Sequence, residues 1–252
     1  MLPFLLRPFV PKTPEQRQAF ADWLKTGEGR QLLDNQKAAL GELLPGIIGC
    51  RAIQVGISTQ HNLLERCNLP FHWRLSSTVS SATDIVMSPA DLPIANKCVD
   101  LVVLHHCLDF DDEPYRVLNE ATRVLNPGGT LIVVGFNPFS LLGIKRLLSQ
   151  RNQPPLSGRF LRIGRVSDWA GVCGCQTLGY VSGYHKQADE SLGARINQYV
   201  WKRLGSFYVL MARKQAIPLH PLKSVAQNLL SELPANVITV PAARWQDNKE
   251  PS

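Results

Sequence analysis

Several things are missing from this chain of 252 residues, and each absence excludes something. No apolar run reaches the length needed to span a bilayer, so a membrane-spanning helix is excluded. The opening MLPFLLRPFVP is broken by Pro3, Arg7 and Pro8, which makes a poor signal peptide and a better surface arm. Six cysteines include no Cys-x-x-Cys pair, which argues against a zinc ribbon or a redox motif. Reduced thiols in a cytoplasmic protein are the expectation. There are no internal repeats and no low-complexity tracts. Aromatic residues make up only 8%. Acids are absent between Glu120 and Asp168, a stretch that holds Lys145, Arg146, Arg151, Arg159, Arg162 and Arg165.

What is present is ordinary for a globular protein. Hydrophobic residues make up 44% and charged residues 19%, enough for one sizeable α/β core with appendages. The net charge of +7, with a pI near 9.2, raises the question of an anionic partner. Because Pro154, Pro155, Ser157 and Gly158 sit among the basic residues, segment 145–165 reads as a solvated basic insertion. It could meet an anionic substrate, a nucleic acid or an anionic surface, although no RNA-binding motif accompanies it.

Residues 84–138 carry the clearest pattern. Val99–His105 is a short β-branched run of the kind buried on both faces. Asp111, Asp112 and Pro114 then open a helix, with Val117, Leu118, Ala121, Val124 and Leu125 on one stripe. Asn126-Pro127-Gly128-Gly129 ends it, and Thr130–Gly135 is a second buried strand. Strand, helix and strand with short connections make a right-handed parallel crossover, hence an α/β fold.

Elsewhere the pattern predicts helices across Pro14–Leu44, broken at Thr26-Gly27-Glu28-Gly29. Strands are expected at Ala52–Gly56, Phe71–Leu75, Ile85–Met87, Thr177–Tyr184 and Phe207–Ala212. Further helices are expected at Thr59–Cys67, Ser167–Gly174 and Arg195–Leu204. The organisation expected is an arm with cap helices over 1–45, a main domain over 46–213 and a partly disordered tail over 214–252.

The Leu92-Pro93 pair, Val99-Asp100-Leu101-Val102 and the run Glu120–Gly129 together resemble the second half of class I S-adenosylmethionine-dependent methyltransferases. The branch resembled is the type 11 methyltransferase-domain family, which methylates small molecules, quinones and lipids. Gly135–Leu141 and Arg165–Trp169 resemble one bacterial subfamily, so that the likeness spans roughly residues 20–215. The resemblance implies a three-layer sandwich around a mostly parallel seven-stranded sheet with an antiparallel last strand. It also implies S-adenosylmethionine as cofactor, bound by Gly56, Ile57, Ser58, Asp91, Leu92, Leu104 and His105. The chain departs from the family where an acid precedes a Gly-x-Gly-x-Gly loop. Here the loop reads Gln54-Val55-Gly56-Ile57-Ser58-Thr59-Gln60. No acid ends the second strand, and Ser88 stands where an adenine-contacting acid is usual. Asp91 is expected to contact the helix or loop instead.

Candidate catalytic residues are His105, His106 and Asn137. A strand should turn one histidine to the cleft and the other to a neighbouring helix. A general base and a purely structural histidine are both open readings. Zinc is excluded at His105-His106-Cys107, because contiguous strand residues cannot converge on one ion. The acids Asp109, Asp111, Asp112 and Glu113 read as helix-start charges. Asn137, between two aromatic rings, reads as a substrate contact or a turn former. Three functions follow: methyl transfer to an unidentified acceptor, a catalytically inactive binding or regulatory module, or a nucleic-acid binder acting through the basic insertion.

Overall fold

The computed structural model describes residues 13–58, 61–148, 154–183 and 205–216. Seven strands form one sheet: β1 (Arg51–Gly56), β2 (Phe71–Ser76), β3 (Ile85–Val86), β4 (Val99–His105), β5 (Leu125–Phe136), β6 (Cys175–Gly183) and β7 (Phe207–Lys214). Their order is β3-β2-β1-β4-β5-β7-β6, with β7 alone antiparallel to its neighbours β5 and β6. This is the expected mostly parallel, Rossmann-like methyltransferase architecture. β4 lies at the centre and is buried on both faces, as its apolar run Leu101–Leu104 requires.

Side-chain parity along the strands divides the core. Ile53, Val55, Val102 and Leu104 face one layer, where α4 (Pro114–Val124) and α6 (Ile163–Val172) pack. Ala52, Leu101, Val103 and Ile132 face the other, formed by α1 (Pro14–Trp23) and α2 (Gly27–Leu43). Val117, Leu118, Ala121 and Val124 of α4 are fully buried, the two valines and the leucine each contributing roughly 1.5–3 kcal/mol before entropy losses. On its polar side, Arg123 clamps the chain before β4, donating to Leu92 O and Ile94 O while forking onto Glu120.

Thr26 both ends α1 and caps α2, its Oγ1 accepting from Gly29 N. A Cβ at Gly29 would lie 2.3 Å from Trp23 O and 2.5 Å from Leu24 Cα. Backbone cannot move aside, so Gly29→Ala is expected to cost about 1–3 kcal/mol of stability despite alanine's better helix propensity. Equilibrium urea unfolding checks this; an unchanged midpoint would refute the close helix approach.

Four expectations need correction. No helix forms over residues 61–67, because Gln54 Oε1 takes the Leu63 N–H and Asn62 Oδ1 takes the Leu64 N–H. β5 starts at Leu125, which pairs with Val99. Residues 126–129 then bulge before Thr130 meets Leu101, with Gly128 at φ +81°. α6 starts at Ile163, four residues before Ser167, without a side-chain cap. Segment 145–165 is not one solvated loop. Lys145 lies on α5 (Leu141–Leu148), and Ser157, Gly158, Phe160 and Leu161 are buried. Phe160 stacks on Phe136 at 4.9 Å, and Arg159 N donates to Asp109 O. Arg151, the Arg146 side chain and the helix expected at 195–204 fall outside the described residues.

Candidate functional site

In open parallel sheets, ligands bind at the carboxyl edge where strand order reverses, here between β1 and β4. Gly56 and His105 are register partners there, the last residues of their strands. His105 points into the α1–α2 layer, as parity with Leu101 and Val103 requires. The chain then leaves the strand through His106, held at φ +54°, and enters the short helix α3 (Cys107–Phe110).

The two histidines do not diverge as a simple strand would turn them. Both meet Gln36 of α2. Gln36 Oε1 lies 2.9 Å from His105 Nε2, and Gln36 Nε2 lies 2.9 Å from His106 Nε2. His106 Nδ1 lies 2.8 Å from Asp109 Oδ2, which also accepts from Phe136 N. One assignment of protons satisfies every bond. The amide N–H of Gln36 can only donate, so His106 Nε2 accepts and His106 Nδ1–H donates to Asp109. The amide oxygen can only accept, so His105 Nε2–H donates. His105 Nδ1 is therefore a bare lone pair, and it is buried without a partner. Burial pushes His106 down to about 3 and His105 well below its usual range. Both rings are neutral at pH 7.

Nearby, His61 Nε2 is also buried and without a partner. Burial lowers the His61 pKa, and His61 in turn helps to lower that of His105. Cys107 Sγ donates to Val55 O, and its thiol is pushed up by burial, out of reach as a nucleophile. Gln36 is not picked out from the sequence, and Asp109 is expected there only as a helix-start charge. Gln36 sits on the apolar stripe of α2 with Leu32, Leu33 and Leu40, a polar residue at a core position. Asp109 is fully buried in the network, not a helix-start charge. Asp111 does serve the turn, accepting from Glu113 N and pairing with Arg17.

The expected cofactor residues are not brought together as a set. Gly56, Ile57, Ser58 and His105 gather at the β1/β4 edge, while Leu92 and Leu104 belong to the core on the opposite face. Asp91 is turned to solvent and pairs with Arg116 at 2.6 Å, so it does contact the helix. Gln54 is fully committed: its amide donates to His61 O and accepts from Leu63 N. A carboxylate there could not make the first bond. Ser76, ending β2, spends its hydroxyl on Ile57 O and Thr78. Among the described residues no cluster of three or more histidines, cysteines or acids could hold a metal, and none of the described helices could cross a membrane. The six cysteines are free thiols.

Farther along the same carboxyl edge is a cleft of about 1420 Å³, lined by Asn137, Phe139, Arg162, Arg165, Trp169 and Tyr180, among others. Asn137 forms its turn, with Oδ1 accepting from Phe139 N, and it also lines the cleft. Phe136 joins the two regions, its ring 4.2 Å from His106 and 4.9 Å from Phe160.

The family described as "Methyltransferase domain" matches residues 48–133. That stretch runs from the lead-in to β1 through β4 and α4 into β5. Residues 48–133 are thus similar to a methyltransferase domain. The domain sits in a chain similar to the uncharacterised protein YafS of Escherichia coli K12, 29% identical over 178 residues, covering 69% of this chain and 73% of that protein. Among solved structures it is similar to an S-adenosylmethionine-dependent methyltransferase of Thermotoga maritima, described as a possible histamine N-methyltransferase. There the TM-score is 0.60 at 19% identity, covering 79% of this chain and 100% of that one. It is also similar to the [4+2]-cyclase SpnF, with a TM-score of 0.52 at 17% identity, covering 75% and 82%. The class I methyltransferase fold thus houses more than one chemistry, and the site must decide between them.

Proposed function

We propose that this protein is an S-adenosylmethionine-dependent methyltransferase acting on a small-molecule, lipid or quinone acceptor. The observation that carries the reading is the bare His105 Nδ1 beside Gly56, at the switch point of a methyltransferase-type sheet. An orphaned buried acceptor in a native protein calls for an explanation, and a bound donor is one. S-adenosylmethionine offers such donors in its ammonium and ribose hydroxyls. The residues fit this group with an altered set of contacts: Gly56, Ile57 and Ser58 supply the backbone edge, and His105 supplies an acceptor where the family uses carboxylates. His61 adds a second unpartnered ring nitrogen.

When bound, the cofactor supplies a methyl carbon activated by its sulfonium. This chain's part is to bind, align and exclude water, so no dedicated nucleophile is required. His105 holds the ligand's proton at Nδ1, while Gln36, His106 and Asp109 fix its tautomer. Neutral acceptors bind a cationic ligand less strongly than carboxylates do. Calorimetric titration with S-adenosylmethionine and S-adenosylhomocysteine is therefore expected to give dissociation constants of about 0.1–1 mM. A Cβ at Gly56 would meet only ordinary contacts, the nearest at 3.4 Å. Gly56→Val should thus fold and lose binding. Parent-like affinity in that variant would mean the site is misplaced.

A second reading, a catalytically inactive binding module, is favoured by the committed amide of Gln54 and hydroxyl of Ser76. Absence of binding at millimolar ligand would select it. Lys145, Arg159, Arg162 and Arg165 are spread over two helices and a packed segment, and nothing else among the described residues supports the nucleic-acid reading.

A further inference from the structure

The geometry points to an anionic acceptor with a ring-bearing apolar body, held in the cleft beside β5 and α6 by Arg162 and Arg165. This deepens the methyltransferase reading and rests on it for the word acceptor, but not for the site.

Three features carry the inference. First, the cleft of about 1420 Å³ exceeds the roughly 300–1,000 Å³ usual for small-ligand pockets, so it has room for a sizeable body. Second, it keeps aromatic surface wet. Phe139 is 58% exposed and Tyr180 59%, with Trp169 lining the same wall. Exposed rings gathered in one concavity favour a planar or apolar ligand, since covering them removes apolar surface from water. Third, the charge is one-sided. Arg162 and Arg165 line the cleft with Asp168 the one carboxylate among its described lining residues, and none of the three forms an ion pair with a described residue.

The guanidinium of Arg162 lies 5.3 Å from the centroid of Phe139. Stacking presets the group while leaving its edge donors for a ligand. A planar guanidinium recognises a carboxylate or phosphate through paired N–H donors, and a second one nearby selects further for an anion. The acid-free stretch from Glu120 to Asp168 ensures that β5, α5 and the segment leading into α6 bring no carboxylate into this wall. The cleft opens on the sheet edge that carries His105, and Phe136 bridges the two by ring contact. An anion held at α6 would therefore lie along the same edge as the proposed donor site.

The test uses two fluorescent probes of similar ring body, without cofactor. One is the anionic 1-anilinonaphthalene-8-sulfonate, the other the neutral N-phenyl-1-naphthylamine. The full chain is expected to bind the anion more tightly. The double variant Arg162→Gln/Arg165→Gln should weaken anion binding by about tenfold or more and leave the neutral probe within about twofold. Tyr180→Ala should weaken both. Equal affinity of parent and double variant for the anionic probe would overturn the proposal. Should the double variant fail to fold, Asp168→Asn decides, since removing the opposing charge should tighten anion binding and an unchanged affinity would overturn it. Because the probes are read without cofactor, a failed S-adenosylmethionine titration leaves this outcome standing. A failed probe test likewise leaves the cofactor titration standing.

Discussion

Asp109→Ala is expected to destabilise the protein by about 3–5 kcal/mol, which is a large share of a typical domain's stability. The carboxylate is fully buried and accepts from two buried donors, His106 Nδ1–H and Phe136 N–H. Alanine removes the one oxygen, Oδ2, that serves both donors, and brings no water to replace it. Each orphaned donor then costs roughly 1–3 kcal/mol. Asp109→Asn provides the comparison. Its amide oxygen can keep both bonds, so a loss of only about 1–2 kcal/mol is expected. Urea unfolding of the two variants beside the parent separates these outcomes. An alanine variant within 1 kcal/mol of the parent would show that the carboxylate does little for the fold.

A functional consequence follows from the same geometry. Asp109 is what obliges His106 to carry its proton on Nδ1, and through Gln36 what leaves His105 Nδ1 bare. Without Asp109, the His106 tautomer is free to change, the Gln36 amide can turn over, and His105 can present a donor in place of an acceptor. Asp109→Ala should therefore weaken S-adenosylmethionine binding as well as the fold, whereas Asp109→Asn, whose amide oxygen still accepts from His106 Nδ1–H, should largely keep it.

The residues that specify the fold act locally, and that is why they could be read. Val99–His105 has the boundaries its apolar run implies, and Pro114 starts α4 because proline suits a first helical position. The start of α6 was hidden because Arg162-Ile163-Gly164-Arg165 contains no capping residue, so a reader waits for Ser167. The helix expected after β1 fails for a nonlocal reason. Gln54 reaches out of the strand and takes the Leu63 N–H. The site was harder still. Gln36 lies 69 residues from His105 in sequence, and only packing of α2 over the sheet brings them together. Asp109 could have been suspected three residues after His106, but Asp111, Asp112 and Pro114 offered a cheaper explanation for acids in that place.

Acidification should unfold this protein sooner than its carboxylates alone would predict. His105 and His106 are buried and neutral in the folded chain, His106 with a pKa of about 3 and His105 well below its usual value. In the unfolded chain both titrate near 6.5. Below that pH the unfolded state binds more protons, so stability falls as pH falls. The contribution is fully present above about pH 6.5 and is lost progressively down toward pH 3. Two protons per unfolding event give a slope of up to about 2.7 kcal/mol per pH unit, and the loss between pH 7.5 and pH 5 is expected to be about 3–4 kcal/mol. His61, half-buried with its pKa lowered by burial, acts in the same direction. Carboxylates with lowered pKa values, such as Glu120 and Asp100, act later, below their unfolded values near pH 4. The two groups of residues are thus separated by pH. Urea midpoints at pH 7.5, 6 and 5 should fall steadily, with His105→Asn showing about half the slope because one of the two buried rings is gone. Stability that stays level from pH 7 to pH 5 would mean that the rings take up protons in the folded state. The bare lone pair at His105, on which the cofactor reading depends, would then be lost with them.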